Sequence, residues 1–442
     1  MINTLKKLHQ FYLPTGSLRT RFAKGAFWCL AGAVIARVLT LFSSIIIARF
    51  LGKIGFGELG MIQSTFGMFG AFAGLGLGMT AIKYVAEFME KDPQKTGRII
   101  GLSYIVSFAT SGITAIILII IAPYLAIHMI AAPHLTSLLR ISAGLLFFGA
   151  LNGVQTGAIA GFGAFKTIAW TNFLGGIISV PLTIIGVWHW GLIGVITGLV
   201  ISLFVNFLIN HAFLKNECKK KGVVINFSGY HYELPILWKF TVPAFLSSIM
   251  SGPVIWICNA MLVNQPNGYA EMGIFNAANQ WRNALLFLPS LMSGVNISIM
   301  SDTLGKNESY ATKKVFLTTT YLNAVALLIG IFAIAIFSSQ IMKAYGDGFI
   351  EGRAVLIFLL VVAFLLGIET STGDLIAASG KMWIGFLMNL GWAIALISST
   401  WLLLNYGAKG LAGAYVISYF VHGLWSFGFA YHYFLRGKKH ER

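Results

Sequence analysis

Apolar runs of twenty or more residues, separated by short polar segments, recur along all 442 residues of the chain. A helix rising about 1.5 Å per residue needs about 20 apolar residues to cross a hydrocarbon core near 30 Å. Windows of that length predict twelve spans, near 26–50, 57–86, 97–126, 135–161, 166–188, 191–213, 234–262, 271–300, 314–340, 354–379, 382–404 and 409–434.

The few polar positions inside these runs carry the information. Arg37 and Arg282 lie near the middles of spans 1 and 8. An arginine at a helix centre costs about 2.5–3.5 kcal/mol on insertion scales, so both are expected to face a shared interior rather than lipid. Span 8 also holds Asn276, Asn279, Gln280 and Asn283, whose i, i+3, i+4, i+7 spacing draws a polar stripe down one face. Amides in membrane helices also serve as interhelical glue, at about 0.6 kcal/mol per contact. Arg282 on the same turn tips the balance toward a hydrated, functional face. Span 1 has no acidic residue, so a structural ion pair for Arg37 requires Glu58, Glu271 or Glu369 from another helix. Without one, two interior guanidinium forks attract an anion and suit phosphate or carboxylate oxygens. Arg49 and Arg140, near the external ends of spans 1 and 4, are further substrate contacts or side chains snorkelling to the interface.

Acidic residues within spans are Glu58, Glu87, Glu271, Glu369 and Asp374. Glu58 and Glu271 occupy matching external positions in spans 2 and 8 and suggest helix capping or an external gate. Glu369 and Asp374, toward the cytoplasmic end of span 10, are candidates for a cytoplasmic gate or a site for a coupling H+ or Na+.

An internal repeat organises the spans. GFGELGMIQS from Gly55 matches GYAEMGIFNA from Gly268 at an offset of 213, Thr156-Gly157 matches Thr372-Gly373 at 216, and GLIGV from Gly191 matches GLAGA from Gly410 at 219. The expected fold is therefore an all-α polytopic membrane protein, about twelve transmembrane helices in two six-helix halves around a central cationic cavity. Its parts are a basic cytoplasmic segment 1–25, an N-terminal half 26–213, a linker 214–233, a C-terminal half 234–434 and a basic tail 435–442. Two even-numbered halves share one orientation and form parallel bundles, a geometry that favours an alternating-access carrier over a channel or an enzyme.

Lysine and arginine placement orients the chain, because short cytoplasmic segments hold an excess of them. One alternate set of segments carries Lys6, Lys7, Arg19, Arg21 and Lys24, then Lys91, Lys95 and Arg98, then Lys166, Lys215, Lys219 to Lys221, Lys306, Lys313, Lys314, Lys381 and the basic tail. The other set carries Lys53, Lys343, Arg353 and Lys409. Both termini are expected in the cytoplasm.

Composition narrows the function class. The chain is 57% hydrophobic and 10% charged, with mean hydropathy +0.80, which leaves no soluble domain. Its formal charge of +17 sits between apolar runs rather than on one polar face, which argues against nucleic acid. Cys29, Cys218 and Cys258 are too scattered for disulfides or a metal. Gly74, Gly76 and Gly78 lie in a span with no preceding strand, so they pack helices rather than cradle a nucleotide. Pro243 and Pro253 imply a bent or interrupted span 7, and His422 stands alone in span 12. No catalytic triad, metal-ligand spacing or Walker sequence is present, so no enzyme activity or cofactor is expected.

The stretch from Lys24 to Glu87, with KGAFW, IIIARFLGKIGFGELG, GLGLGMT and KYVAEF, resembles the N-terminal signature of bacterial polysaccharide-biosynthesis flippases. These belong to the multidrug/oligosaccharidyl-lipid/polysaccharide exporter superfamily. The resemblance implies a bacterial inner-membrane protein that moves an undecaprenyl-diphosphate-linked oligosaccharide, for O-antigen or a related glycan, from the cytoplasmic to the external leaflet. It implies membrane lipids and the pathway's polymerase and chain-length machinery as partners, and cavity cations as headgroup contacts, a role that Arg37 and Arg282 match. The lipid II branch has fourteen helices, and the drug/cation antiporters place acidic residues in their cation cavities. The chain departs from both, although a cation-coupled exporter of amphipathic small molecules stays open as the alternative.

Overall fold

The computed structural model describes residues 18–241, 245, 249–306 and 308–440, with the side chains of 18–33, 36, 239, 240, 288, 291 and 435–440 excepted. Every regular element among them is helical: α1 Leu18–Gly74, α2 Leu77–Phe88, α3 Pro93–Tyr124, α4 Thr136–Gly161, α5 Phe165–Lys220, α6 Ser251–Val263, α7 Gly268–Gly305, α8 Ser309–Ile336, α9 Ser338–Tyr345, α10 Arg353–Ala378, α11 Met382–Leu403 and α12 Gly407–His440. Among the described residues, eight helical stretches are long and apolar enough to cross a membrane. Large apolar side chains such as Ile120, Ile329 and Phe332, each about two-thirds exposed or more, form an outer surface suited to lipid rather than water.

Glycine bends divide three of those stretches. Gly52 in α1 has φ 65° and ψ −178°, Gly191 in α5 has φ 57° and ψ −135°, and Gly407, between α11 and α12, has φ 57° and ψ −134°. Such angles are open to glycine and strained for residues bearing a Cβ. The chain reverses at Gly191: a Cβ built on Gly186 would lie 2.3 Å from the carbonyl oxygen of Gly194, whereas eight residues of straight helix span about 12 Å. The shared angles of Gly191 and Gly407 put those two turns at an offset of 216, so the third repeat echo belongs at 216 rather than 219.

Other elements depart from the hydropathy reading. The predicted span 57–86 is interrupted: α1 ends at Gly74, and Leu75 and Gly76 take left-handed angles (φ 45° and 71°) before α2 begins. Hydropathy is blind to this break because Leu75 is as apolar as its neighbours. Glu87 is exposed on the last turn of α2 rather than inside a span. In predicted span 7 a π turn covers Leu237–Thr241 and α6 starts at Ser251. Pro253 falls in the first turn of α6, where its missing N–H costs nothing; Pro243 lies outside the described residues. The linker is docked rather than free. Asn226 N donates to Gly97 O at 3.2 Å, and Arg98 on α3 forms a 3.0 Å ion pair with Glu233.

One apolar core joins the two copies of the repeat, with Phe56, Met61 and Ile62 of α1, Phe275, Ala277 and Ala278 of α7, and Tyr345, Phe349 and Tyr415 around them. The α1–α7 crossing depends on missing side chains. A Cβ on Gly57 would meet Tyr269 O at 1.9 Å, and one on Gly273 would meet Lys53 O at 1.9 Å. This is close packing through small residues, the usual way membrane helices approach one another.

Candidate functional site

A seam between α1 and the helices α6, α7 and α9 is closed along one stretch of α1. Ser44 Oγ lies 3.3 Å from Tyr345 Oη, Arg49 Nε donates to Ala344 O at 2.6 Å, and Lys53 pairs with Glu351 at 3.2 Å. Asn276 Nδ2 donates to Phe56 O at 3.3 Å, Asn259 Nδ2 to Ser64 Oγ at 2.9 Å, and Trp256 Nε1 to Thr65 Oγ1 at 2.9 Å. Arg49 is exposed, as is Arg140, whose Nε donates to Ile119 O at 3.3 Å. Their donors therefore end on carbonyls at the rim.

Arg37 and Arg282 lie on α1 and α7 beside this seam, past the Gly57–Gly273 crossing. Arg37 Nη2 donates to Gln280 O at 3.3 Å, and its buried Nε has no partner. Arg282 is 8% exposed. Its Nη2 reaches Asn283 Oδ1 at 3.4 Å, and its guanidinium sits 5.2 Å from the centre of the Tyr415 ring. Its Nε and Nη1 are buried with no partner. Among the described residues neither arginine pairs with a carboxylate, and the acids proposed as partners are engaged elsewhere. The span 8 stripe grades outward: Asn276 is buried, Asn279 and Gln280 are half-buried, and Asn283 is exposed.

Glu58 and Glu271 do not meet each other; each addresses a neighbouring helix start. Glu271 Oε2 accepts from Ala408 N at 2.7 Å, at the beginning of α12. There the carboxylate complements the positive end of the helix dipole. Glu58 Oε1 lies 2.7 Å from Nε2 of exposed His134, just before α4.

The two acids of α10 also have separate surroundings. Asp374 accepts from Ser293 Oγ and, at 3.2 Å, from Asn296 Nδ2, so both its oxygens are satisfied. Glu369 Oε2 lies 2.6 Å from His422 Nδ1, while its Oε1 is buried without a partner. His422 is therefore not alone. The sequence reading missed this pair because it joins α10 to α12, 53 residues apart.

Among the cavities of the described residues, two sit between membrane-length helices of corresponding repeat position. The first, about 580 Å³, lies among α1, α4 and α5 and is lined by Gln63, Asn152, Asn172, Asn206, Asn210 and Thr40 with other small polar and apolar residues. The second, about 270 Å³, lies among α10, α11 and α12 and contains Glu369, His422, Asn389 and Ser426. At the offset of 216 His422 stands where Asn206 does and Ser426 where Asn210 does, so the cavities occupy corresponding places. Arg37 and Arg282 line neither of them. The N-terminal cavity also escaped the sequence reading, although Ser202, Asn206 and Asn210, at i, i+4 and i+8, share one helix face much as the span 8 stripe does.

Comparison with known proteins adds four findings. The family described as polysaccharide biosynthesis protein matches residues 22–304. The lipid III flippase of Escherichia coli K12 is 23% identical over 413 residues, covering 90% of this chain and 96% of that one. The EPS I polysaccharide export inner membrane protein EpsE of Ralstonia nicotianae is 26% identical over 189 residues, 42% of this chain and 43% of its own length; the match spans less than half of that relative. Among solved structures, the inward-facing conformation of a multidrug resistance MATE family transporter of the MOP superfamily aligns with a TM-score of 0.77 at 16% identity. That alignment covers 94% of this chain and 99% of the other, and it shows that the two share a fold.

Proposed function

Because this chain belongs to the polysaccharide biosynthesis protein family, whose relatives here are membrane exporters and flippases, we propose that it flips an undecaprenyl-diphosphate-linked oligosaccharide from the cytoplasmic to the external leaflet of a bacterial inner membrane. On this reading both limbs of each glycine-divided helix and the shorter α6 are taken as crossings, twelve in all, and the chain works as two halves that rock by alternating access. The single observation that carries the reading is the state of the two arginines. Arg282 is buried and Arg37 half-buried, and among the described residues both carry unpartnered N–H groups and neither pairs with a carboxylate. A buried cation in that condition is costly unless a ligand completes it, and a diphosphate supplies the missing acceptors and charge.

In this mechanism the closed stretch of the α1–α7 seam is the external gate, and the headgroup reaches the arginines when the seam opens on its cytoplasmic side. The diphosphate binds Arg37 and Arg282 with help from the span 8 amides, while the polyprenyl tail stays in lipid. Neutralising the arginines lowers the cost of closing around them. The Gly57–Gly273 crossing then parts, and the headgroup leaves outward. Carrying negative charge outward runs with an inside-negative potential, at about 2.3 kcal/mol per charge per 100 mV, so the flip has a driving force without a coupling ion. The test is rescue of surface glycan display in a flippase-deficient cell. The parent chain should restore it, and Arg37→Ala and Arg282→Ala, at matched membrane abundance, should not. Full rescue by both variants would refute headgroup recognition by these residues.

A second reading is favoured by the pairing of buried Glu369 with half-buried His422 in its cavity: a cation-coupled exporter of amphipathic small molecules. It predicts drug resistance on overexpression that depends on Glu369 and is indifferent to the arginines.

A further inference from the structure

The 580 Å³ cavity of the N-terminal half is of ligand-binding size and has an unusual lining for the interior of a membrane bundle. Ten of its sixteen lining residues carry an amide or hydroxyl side chain, and none is ionisable. Five amides converge there: Gln63, Asn152, Asn172, Asn206 and Asn210. Part of the set is internally satisfied, since Asn210 Nδ2 donates to Asn152 Oδ1 at 2.8 Å and Asn152 Nδ2 to Leu203 O at 2.9 Å. Asn210 Oδ1, on a residue only 5% exposed, is buried with no partner. Gly175 makes room for the neighbouring amide, because a Cβ there would lie 2.5 Å from Asn206 Oδ1. Amides offer donors and acceptors side by side, which matches a ligand whose every hydroxyl both gives and takes a hydrogen bond. The absence of charge disfavours a metal ion, an ammonium group or a phosphate as the occupant.

Position links this cavity to the arginines. Thr40 in its wall is three residues from Arg37 on α1, and i, i+3 residues are neighbours on one helix face, about 4.5 Å apart along the axis. A phosphate held at Arg37 therefore delivers the group attached to it toward the cavity mouth. Gln63 is the repeat mate of Asn276. The C-terminal copy spends its amide on the seam, at Phe56 O, while the N-terminal copy turns its amide into the cavity.

We infer that the N-terminal cavity is a binding site for an uncharged, polyhydroxylated glycosyl group, seating the sugar next to the diphosphate at Arg37. The inference rests on the proposed function for its substrate, and it assigns the sugar to a place distinct from the arginines and the span 8 stripe.

The test measures dissociation constants of the full chain in lipid nanodiscs for two probes. One is undecaprenyl diphosphate; the other is the undecaprenyl-diphosphate-linked glycan pool extracted from the bacterium that encodes the chain. The parent should prefer the glycosylated probe by about tenfold, the equivalent of one or two well-made hydrogen bonds. Asn206→Leu and Gly175→Val should abolish that preference and leave affinity for bare undecaprenyl diphosphate unchanged. Asn172→Leu, at another wall of the cavity, guards against a folding defect in either. An undiminished preference in all three variants, or no preference in the parent, overturns the inference. Arg37→Ala should weaken both probes; if it weakens neither, the diphosphate reading fails while the cavity variants still report on the sugar.

Discussion

Replacing Arg282 by Met should make the protein more stable and less able to export. Arg282 is 8% exposed, its Nε and Nη1 lack partners among the described residues, and its hydrogen bond to Asn283 is a long 3.4 Å. Leaving a buried donor unsatisfied costs about 1–3 kcal/mol, so removing two such donors recovers about 2–6 kcal/mol. Against this stands the loss of the Tyr415 cation–π contact, about 0.5–2 kcal/mol. Methionine keeps most of the apolar stem and adapts to irregular spaces, which limits any cavity cost. The net expectation is a gain of up to about 5 kcal/mol. Unfolding of parent and variant by sodium dodecyl sulfate titration in mixed micelles reads the difference, and surface glycan display reads function. A variant destabilised by 2 kcal/mol or more would show that Arg282 holds the fold together, and the argument from its unpartnered donors would collapse.

Further outcomes follow from the seam, the turns and the acids. Gly57→Val and Gly273→Val must push α1 and α7 apart, since each Cβ lands 1.9 Å from a backbone carbonyl. Labelling of a cysteine placed at Asn276 should rise and export should fall; parent-like labelling would remove the seam from the account. Gly191→Ala and Gly407→Ala should each cost about 1–3 kcal/mol in the same unfolding titration, because the turn angles are strained for any residue with a Cβ. An effect below half a kilocalorie would mean the reversals are made differently. Glu271→Ala should destabilise by about 1.5–3 kcal/mol through loss of the charge-assisted bond to Ala408 N, with Glu271→Gln intermediate; equal losses in the two variants would argue against a role for charge. His422→Phe strips Glu369 of its partner and should destabilise more than the double change Glu369→Gln, His422→Phe, a double-mutant coupling that vanishes if the two groups act independently.

The legible part of this molecule was its hydropathy and its repeat. Apolar length located most of the helices, though not the break at Leu75–Gly76 or the late start of α6, and GFGELG against GYAEMG identified the two segments that cross at Gly57 and Gly273. What hydropathy could not register was backbone angle. Leu75 looks like span interior yet sits at positive φ, and nothing in composition separates the turning glycines 52, 191 and 407 from the packing glycines 57 and 273. Glu369–His422 was hidden for a different reason: both residues were noted, but only tertiary packing brings α10 against α12. The amides of α5 were overlooked although their spacing was as regular as that of span 8, because no arginine drew attention to them.

The most direct measurement is translocation by the purified full chain in proteoliposomes, using the extracted undecaprenyl-diphosphate-linked glycan pool and a lectin that reads only glycan on the far leaflet. The account predicts time-dependent transfer by the parent, faster when the membrane potential favours outward movement of negative charge, and transfer reduced to the protein-free level by Arg37→Ala and Arg282→Ala. Transfer that is absent in the parent, or that persists unchanged in both variants, would contradict it.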